Sequence, residues 1–271
     1  MISFTEHSQN GLVYTTAGLL SVPGAVHGFS TRLGGVSQGH LASLNLGASR
    51  GDDPEAVREN YRRFLTAVGA DPASFAVSHQ VHGDTVRTVT AADRRDDPCL
   101  PVNYDADGLM TDVPGLALVV FSADCIPVLL YDPVRRAAAA VHAGWRGTAL
   151  GIVRRAAERM RDCYGTRMED LLAAVGPGIS KCCFETHADV PNAMVNAMGK
   201  AALPHVQSLP AGKFQVDLKG LNAQWLKDLG VPEEHIALSP ECTACRTDRY
   251  WSHRRMGDQR GSLAAVIQLT P

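Results

Sequence analysis

A thiol and an imidazole set the chemical question in this chain. Cys125 and His142 fall near the two ends of ADCIPVLLYDPVRRAAAAVHAGWRG, the stretch from Ala123 to Gly147. The runs IPVLLY (Ile126 to Tyr131) and AAAAVH (Ala137 to His142) are short and apolar, and DPVRR between them is turn chemistry. Pairing across that turn brings position 125 beside position 142, so both groups share one end of a sheet. Two chemistries fit such a pair. One is a cysteine nucleophile with a histidine base, as in a hydrolase or amidase. The other is metal ligation: with His82 as third donor, two rings and a sulfur suit zinc and leave a position free for water, whose pKa zinc lowers toward about 7. A chain with ten His and seven Cys offers many such sets, and spacing alone does not select this one. His79, three residues before His82, falls on the opposite face of a strand, and His82 beside Gly83 is the better placed for an exposed rim.

Other groups could carry chemistry. Cys242-x-x-Cys245 with Cys182 and Cys183 would suit a structural zinc, but a single CxxC lacks a partner of the same spacing, and plain thiols are the reading adopted. The glycine-rich loop after Thr31 presents backbone N–H groups and Arg32 to an anion, or is a plain surface turn. Arg146, in the first turn of the helix that follows His142, sits where unpaired N–H groups attract anions. Arg246, Arg249, Arg254, Arg255 and Arg260 form a basic tail, either an anion site or a solvated surface.

The elements that must position these residues follow from periodicity. A strand ends near Thr31. Asp52 to Gly69 is an amphipathic helix, capped by Asp, opened by Pro54 and closed by Gly69, with Val57, Tyr61, Phe64, Leu65 and Val68 on its inner face. Ser74 to Thr90 forms two strands broken at His82-Gly83-Asp84. Ala92 to Gly108 is a long polar loop whose acidic run reads as a solvated edge. LALVVF (Leu116 to Phe121) is a further strand. Gly144 to Gly165 is one helix, and Leu171 starts a buried strand that runs into a Gly-Pro-Gly loop. Helices follow near 188–198 and 218–229, with late strands at 235–240 and 262–269. No repeat or low-complexity segment interrupts the chain, so residues 1–271 read as a single α/β domain, with mixed sheets flanked by helices.

Composition excludes several classes. A chain of 271 residues, 45% hydrophobic and 20% charged, is an ordinary globular one. Net charge of −2 gives no surface for nucleic acid or an anionic membrane. No apolar run of membrane-spanning length occurs, and the opening MISFTEHSQN lacks the pattern of an export signal, so a cytoplasmic location is expected. An odd number of cysteines in a chain of this size argues against a disulfide framework.

A series of motifs adds what spacing cannot supply. HGFSTRLGGVSQGHLASLNLG, GDDPEAVRENYRR, HQVHGDTV, SADCIPVLL, HAGWRGT, GPGISKCCFE and CTACRTDRYWSHRR, in this order from Val26 to about Arg255, resemble the successive motifs of the YfiH or laccase-domain family. Members of that family have been called polyphenol oxidases and are now described as zinc-dependent purine nucleoside phosphorylases with adenosine deaminase activity. The resemblance implies a YfiH-like α/β domain whose zinc is held by His82, Cys125 and His142, with His79 outside the ligand set. It implies adenosine, inosine or methylthioadenosine, together with phosphate, as substrates, and places Arg32 and Arg146 on the phosphate. Asp124, next to Cys125, is the expected proton shuttle of deamination, or else it orients a ligand or caps a turn. Trp145 either stacks on the purine or packs in the core. The family's closing F-S-Y-R-R stands here as Tyr250-Trp251-Ser252-His253-Arg254-Arg255, and the following T-G-R is replaced by Gln259-Arg260-Gly261, which puts in doubt any role of the tail in substrate binding.

Three rival readings remain. A copper-dependent polyphenol oxidase needs many imidazoles, commonly as His-x-His, and the chain contains no such pair. The H-x-E with P-C-x-x-C of cytidine-type zinc deaminases is also missing, so deamination would need another scaffold. The cysteine hydrolase with a Cys125–His142 dyad is distinguished from the zinc enzyme by surviving chelation. A non-enzymatic, metal-dependent binding module would turn over no nucleoside.

Overall fold

The computed structural model describes residues 4–271. In chain order the elements are β1 (Phe4–Gln9), β2 (Leu12–Ala17), β3 (Ala25–Ser30), α1 (Pro54–Val68), β4 (Phe75–Ala76), β5 (Val86–Thr88), β6 (Gly108–Thr111) and β7 (Ala117–Ser122). There follow β8 (Ile126–Asp132), β9 (Ala137–Ala143), α2 (Trp145–Ala149), α3 (Ile152–Tyr164), β10 (Leu172–Val175), β11 (Glu185–Thr186) and α4 (Asp189–Met198). The chain ends with β12 (Val206–Ser208), β13 (Phe214–Val216), α5 (Leu218–Asp228), β14 (Ile236–Leu238), α6 (His253–Met256) and β15 (Leu263–Leu269).

Two six-stranded mixed sheets form the frame, in the orders β1-β2-β3-β15-β7-β4 and β14-β10-β8-β9-β6-β5; β11, β13 and β12 make a small third sheet. The strand period of two builds the layers. Leu129 and Tyr131 of β8 with Ala138 and Ala140 of β9 meet Phe29, Leu118, Val120 and Ile267 of the first sheet in one core. Their alternates, Ile126, Val128, Leu130, Ala139 and Val141, pack on α3 and α5 in a second core. The outer face of the first sheet, including Val119 and Val266, is covered by Val57, Tyr61, Phe64 and Leu65 of α1. The order is helix, sheet, sheet, helix, as the expected α/β class with flanking helices requires. Among the described residues no helix is long and apolar enough to cross a membrane.

Helix α1 forms as its sequence directs. Asp53 accepts the Glu55 N–H, Pro54 opens the first turn, and Gly69 closes it with φ +86°. Three features differ from the sequence reading. The span Gly144 to Gly165 is two helices, because Gly151 at φ +73° breaks it between α2 and α3. A hairpin of β1 and β2 opens the described chain, turned by Asn10 (φ +51°) and Gly11 (φ +81°), an Asn-Gly signal for a tight turn. The acidic loop ending at Gly108 is not wholly a solvated edge, since Asp107 is fully buried.

Candidate active site

The β8–β9 hairpin brings the thiol and the ring together. Ile126 pairs with Ala143 and Pro127 with His142, so Cys125 emerges from the sheet beside the end of β9. His82 arrives from the opposite side, on the crossing from β4 in the first sheet to β5 in the second. Ligand atoms of His82, Cys125 and His142 all lie within 4.8 Å of one another, and the two rings stand nearly perpendicular with centroids 5.0 Å apart. Gly144 is a steric condition of this arrangement: a Cβ there would sit 2.9 Å from His82 Cδ2 and 3.1 Å from the Cys125 sulfur.

One carboxylate orients two of the three donors. Asp107 accepts the backbone N–H groups of Val81 (3.0 Å), His82 (3.0 Å) and Gly83 (2.8 Å), holding the loop in which His82 adopts φ +61°. The same carboxylate bonds His142 Nδ1 at 2.8 Å, which leaves Nε2 of that ring to face the cluster. Burial acts to raise the Asp107 pKa, but His142 and the N–H donors outweigh it and hold the group below its ordinary value. Burial likewise acts to raise the Cys125 thiol and to lower His142. Their mutual attraction, with His82 beside the sulfur and Asp107 behind the ring, reverses both directions, so the thiol lies below and the ring above its ordinary pKa. The donor set could hold a metal ion with an open position, and its chemistry fits zinc: soft thiolate, two imidazoles, and a carboxylate behind one of them. It does not fit a multicopper centre, since the two donor clusters among the described residues contain only two imidazoles between them.

The trio opens on a cavity of about 930 Å³. Four arginines line it, Arg50, Arg146, Arg254 and Arg260, and none has a carboxylate within ion-pairing distance among the described residues. Burial lowers the pKa of Arg260, and the nearby charge of Arg50 acts in the same direction. Aromatic surface comes from Phe121, Trp145 and Phe184. Trp145 is half-buried, with the Arg146 guanidinium 4.4 Å above its ring. The loop from Pro98 to Val102 forms another wall.

The expected site residues divide. His82, Cys125 and His142 converge, Arg146 lines the cavity, and His79, bonded to Asp105 on the exposed rim, stays outside the trio. Arg32, expected on the phosphate, is not among the lining residues: it donates to the carbonyls of Thr247 (3.0 Å) and Ala42 (2.8 Å) and stacks 3.7 Å over Trp251. Asp124, expected to shuttle protons, accepts from Thr243 Oγ1 (2.6 Å), Ser252 Oγ (3.0 Å) and the Arg254 N–H (2.6 Å). It also lines the cavity, and these bonds clamp the C-terminal segment to the turn that carries Cys125, as expected of a residue that orients its neighbours. Sequence reasoning overlooks Asp107 and Arg50. Arg50 ends the same glycine-rich loop that offered Arg32, while Asp107 stands directly before the buried strand β6.

The chain matches, over residues 26–270, the family described as multi-copper polyphenol oxidoreductase laccase. It is 33% identical to a purine nucleoside phosphorylase of Bacteroides thetaiotaomicron, the alignment covering 99% of each chain. It is 36% identical to the purine nucleoside phosphorylase YfiH of Shigella flexneri, over 89% of this chain and 92% of that one. The crystal structure of YlmD from Geobacillus stearothermophilus superposes with a TM-score of 0.92, at 31% identity and over 100% of both chains. Motif order, shared fold and extent of match agree, and the chain belongs to the multi-copper polyphenol oxidoreductase laccase family, the laccase-domain group of YfiH and YlmD.

Proposed function

We propose that this protein is a zinc-dependent purine nucleoside phosphorylase that also deaminates adenosine. The observation that carries the reading is one cavity wall with three metal donors and another with arginines that no carboxylate neutralises. Among the described residues Arg50 and Arg146 make no side-chain hydrogen bond, which leaves donors for a dianion in the geometry guanidinium offers to phosphate. The half-buried faces of Phe121 and Trp145, with Phe184 buried behind them in the lining, suit a flat purine. Adenosine, inosine and methylthioadenosine share the ribosyl–purine bond this arrangement would hold between them.

In phosphorolysis a phosphate oxygen forms a bond to C1′ as the C1′–N9 bond breaks, and the electron pair leaves with the purine. The arginines hold phosphate beneath the sugar and offset its charge. Asp107 keeps the His142 ring turned and the His82 loop in place, so both imidazoles point into the cavity. His82, Cys125 and His142 would hold the zinc, which supplies Lewis-acid polarisation and acidifies water when bound. Asp124 secures Arg254 and the segment around it. Seven free thiols suit a reducing compartment, and the cytoplasm is the proposed location.

A second reading rests on the thiol held low beside a ring held high, the electrostatics of a cysteine nucleophile. His82 favours the metal, because a dyad has no use for a third donor within 4.8 Å of both partners. The test is incubation of purified protein with adenosine, inosine and methylthioadenosine, with and without phosphate, followed by product analysis. Free base and the matching sugar 1-phosphate (ribose 1-phosphate, or 5-methylthioribose 1-phosphate from methylthioadenosine) are expected only with phosphate, inosine from adenosine without it, and both activities lost to a chelator and restored by zinc. No product under any condition overturns the enzyme, and activity that survives chelation overturns the zinc.

A further inference from the structure

Cys182, Cys183, Cys242 and Cys245 are not scattered thiols. All four sulfurs lie within 4.8 Å of one another: Cys245 is 3.4 Å from Cys183 and 3.6 Å from Cys182, and the adjacent pair is 3.9 Å apart. A tetrahedral zinc with Zn–S bonds of about 2.3 Å sets its sulfurs about 3.8 Å apart. We propose that these four thiolates bind one structural zinc ion, a second metal site that fastens the C-terminal segment to the loop forming one wall of the cavity.

Three further observations support the assignment. First, the Cys242 sulfur accepts the backbone N–H of Ser180 at 3.3 Å and faces those of Ala244 and Cys245, donors that stabilise a ligating thiolate. Second, the two loops are held in register without the metal. Gly178 and Cys242 form a parallel bridge, and the Thr243 N–H donates to the Gly178 carbonyl at 3.2 Å. The donors are therefore pre-positioned by the backbone. Third, positive charge surrounds the cluster. Lys219 is only 4% exposed and, among the described residues, has no carboxylate within ion-pairing distance; its ammonium donates to Ser180 Oγ (3.0 Å) and to the carbonyls of Ser239 (3.0 Å) and Glu241 (2.5 Å). Arg255 reaches the Cys183 sulfur at 3.6 Å. A zinc ion with four thiolates carries a net charge of −2, and these cations offset it. A disulfide would use two of the sulfurs and leave the others, with their converging geometry, without a purpose.

The site's role follows from where it stands. None of its four cysteines lines the cavity, but Ile179 and Phe184 on one side, and His253 and Arg254 on the other, do. Arg254 already donates to the carbonyls of Cys183 (3.0 Å) and Glu185 (3.1 Å) across the same junction. Four protein ligands leave no open position, so this ion holds structure rather than reacting.

Elemental analysis of protein produced with zinc decides the matter. Two zinc ions per chain are expected in the wild type, one in His142→Ala, one in Cys182→Ser or Cys245→Ser, and none in a variant combining His142→Ala with Cys245→Ser. Cobalt loading of His142→Ala, whose thiol cluster is intact, provides a readout that needs no cysteine variant to fold. Sulfur-to-cobalt bands of four-thiolate intensity are expected there. A single zinc in wild type that Cys245→Ser leaves unchanged overturns the site, as does rapid labelling of these four thiols in the native zinc-grown protein. A mass two hydrogens below the reduced value, mapped to any pair of them, overturns it as well.

Discussion

The two donor clusters differ in what surrounds them more than in what they are made of. His82, Cys125 and His142 come from three separate segments, face a cavity, and supply one ligand fewer than a tetrahedral ion takes. The four cysteines come from two tight turns, lie outside the cavity lining, and supply a full set. At the first cluster the neighbours are unpaired arginines and aromatic faces, groups that bind a substrate. At the second they are backbone N–H donors and a buried lysine, groups that stabilise a fixed charge. On the proposed reading, sulfur and a soft cation would serve reaction in one place and fastening in the other, and the missing fourth donor would make the difference.

Removing a donor from each cluster separates the two most sharply. His82 is exposed and contributes nothing to the three cores, in which each fully buried Ile, Leu or Val is worth about 1.5–3 kcal/mol. His82→Ala is expected to reduce phosphorolysis to the level of the phosphate-free blank while moving the thermal midpoint less than loss of a cysteine from the other cluster does. Retained turnover would return His82 to an ordinary rim histidine. Asp107→Asn follows in size. The amide cannot accept from three N–H groups and a ring nitrogen at once, so zinc affinity and turnover are expected to fall about 10–100-fold. An unchanged zinc affinity by competition titration would show that the orienting bond is dispensable.

How far this could be read from the chain depends on which contacts are local. The hairpin of IPVLLY and AAAAVH places Cys125 near His142 by pattern alone, and the structure pairs Pro127 with His142 accordingly. The α1 helix is equally plain, since cap, proline and closing glycine all lie within its own sequence. His82 reaches the cluster across both sheets, a distance no spacing rule covers, and only the motif resemblance selects it. Asp107 is hidden for a different reason. Its carboxylate serves backbone groups 24 to 26 residues earlier in the chain and a ring 35 residues later, while its neighbours Tyr104, Asp105 and Gly108 look like a turn. The lone CxxC argues for plain thiols because its partners are adjacent cysteines, a spacing that becomes a ligand set only once two loops are bridged at Gly178 and Cys242.

Stability tests the other half of the comparison. Cys245→Ser is expected to cost about 2–3 kcal/mol, as loss of a structural ligand does, which at about 2–4 °C per kcal/mol lowers the midpoint by roughly 4–12 °C. Turnover at low temperature should stay within a few-fold of wild type, since Cys245 is exposed and outside the cavity lining. A midpoint equal to wild type would make the cluster a group of thiols without a structural task.

The smallest effect concerns acid and rests on a buried histidine outside both clusters. His27 lies in β3, in the sheet that carries neither Cys125 nor His142, and is 4% exposed. Burial pushes its pKa down to about 4, and its Nε2 accepts the Ala17 N–H at 2.9 Å, a bond that protonation destroys. The unfolded chain takes up this proton near pH 6.5 and the folded one only near 4, so the stabilisation is complete above 6.5 and is lost as pH falls toward 4. Between pH 7.5 and 5.5 the loss is about 1 kcal/mol, or roughly 2–4 °C. In His27→Gln the amide has no such titration, and the midpoint should change less over that interval, by this amount, whatever the variant's absolute stability. If wild type and His27→Gln lose stability in parallel, the acid sensitivity comes from groups other than His27, and repeating the measurement in His82→Ala and Cys245→Ser shows whether either donor cluster contributes.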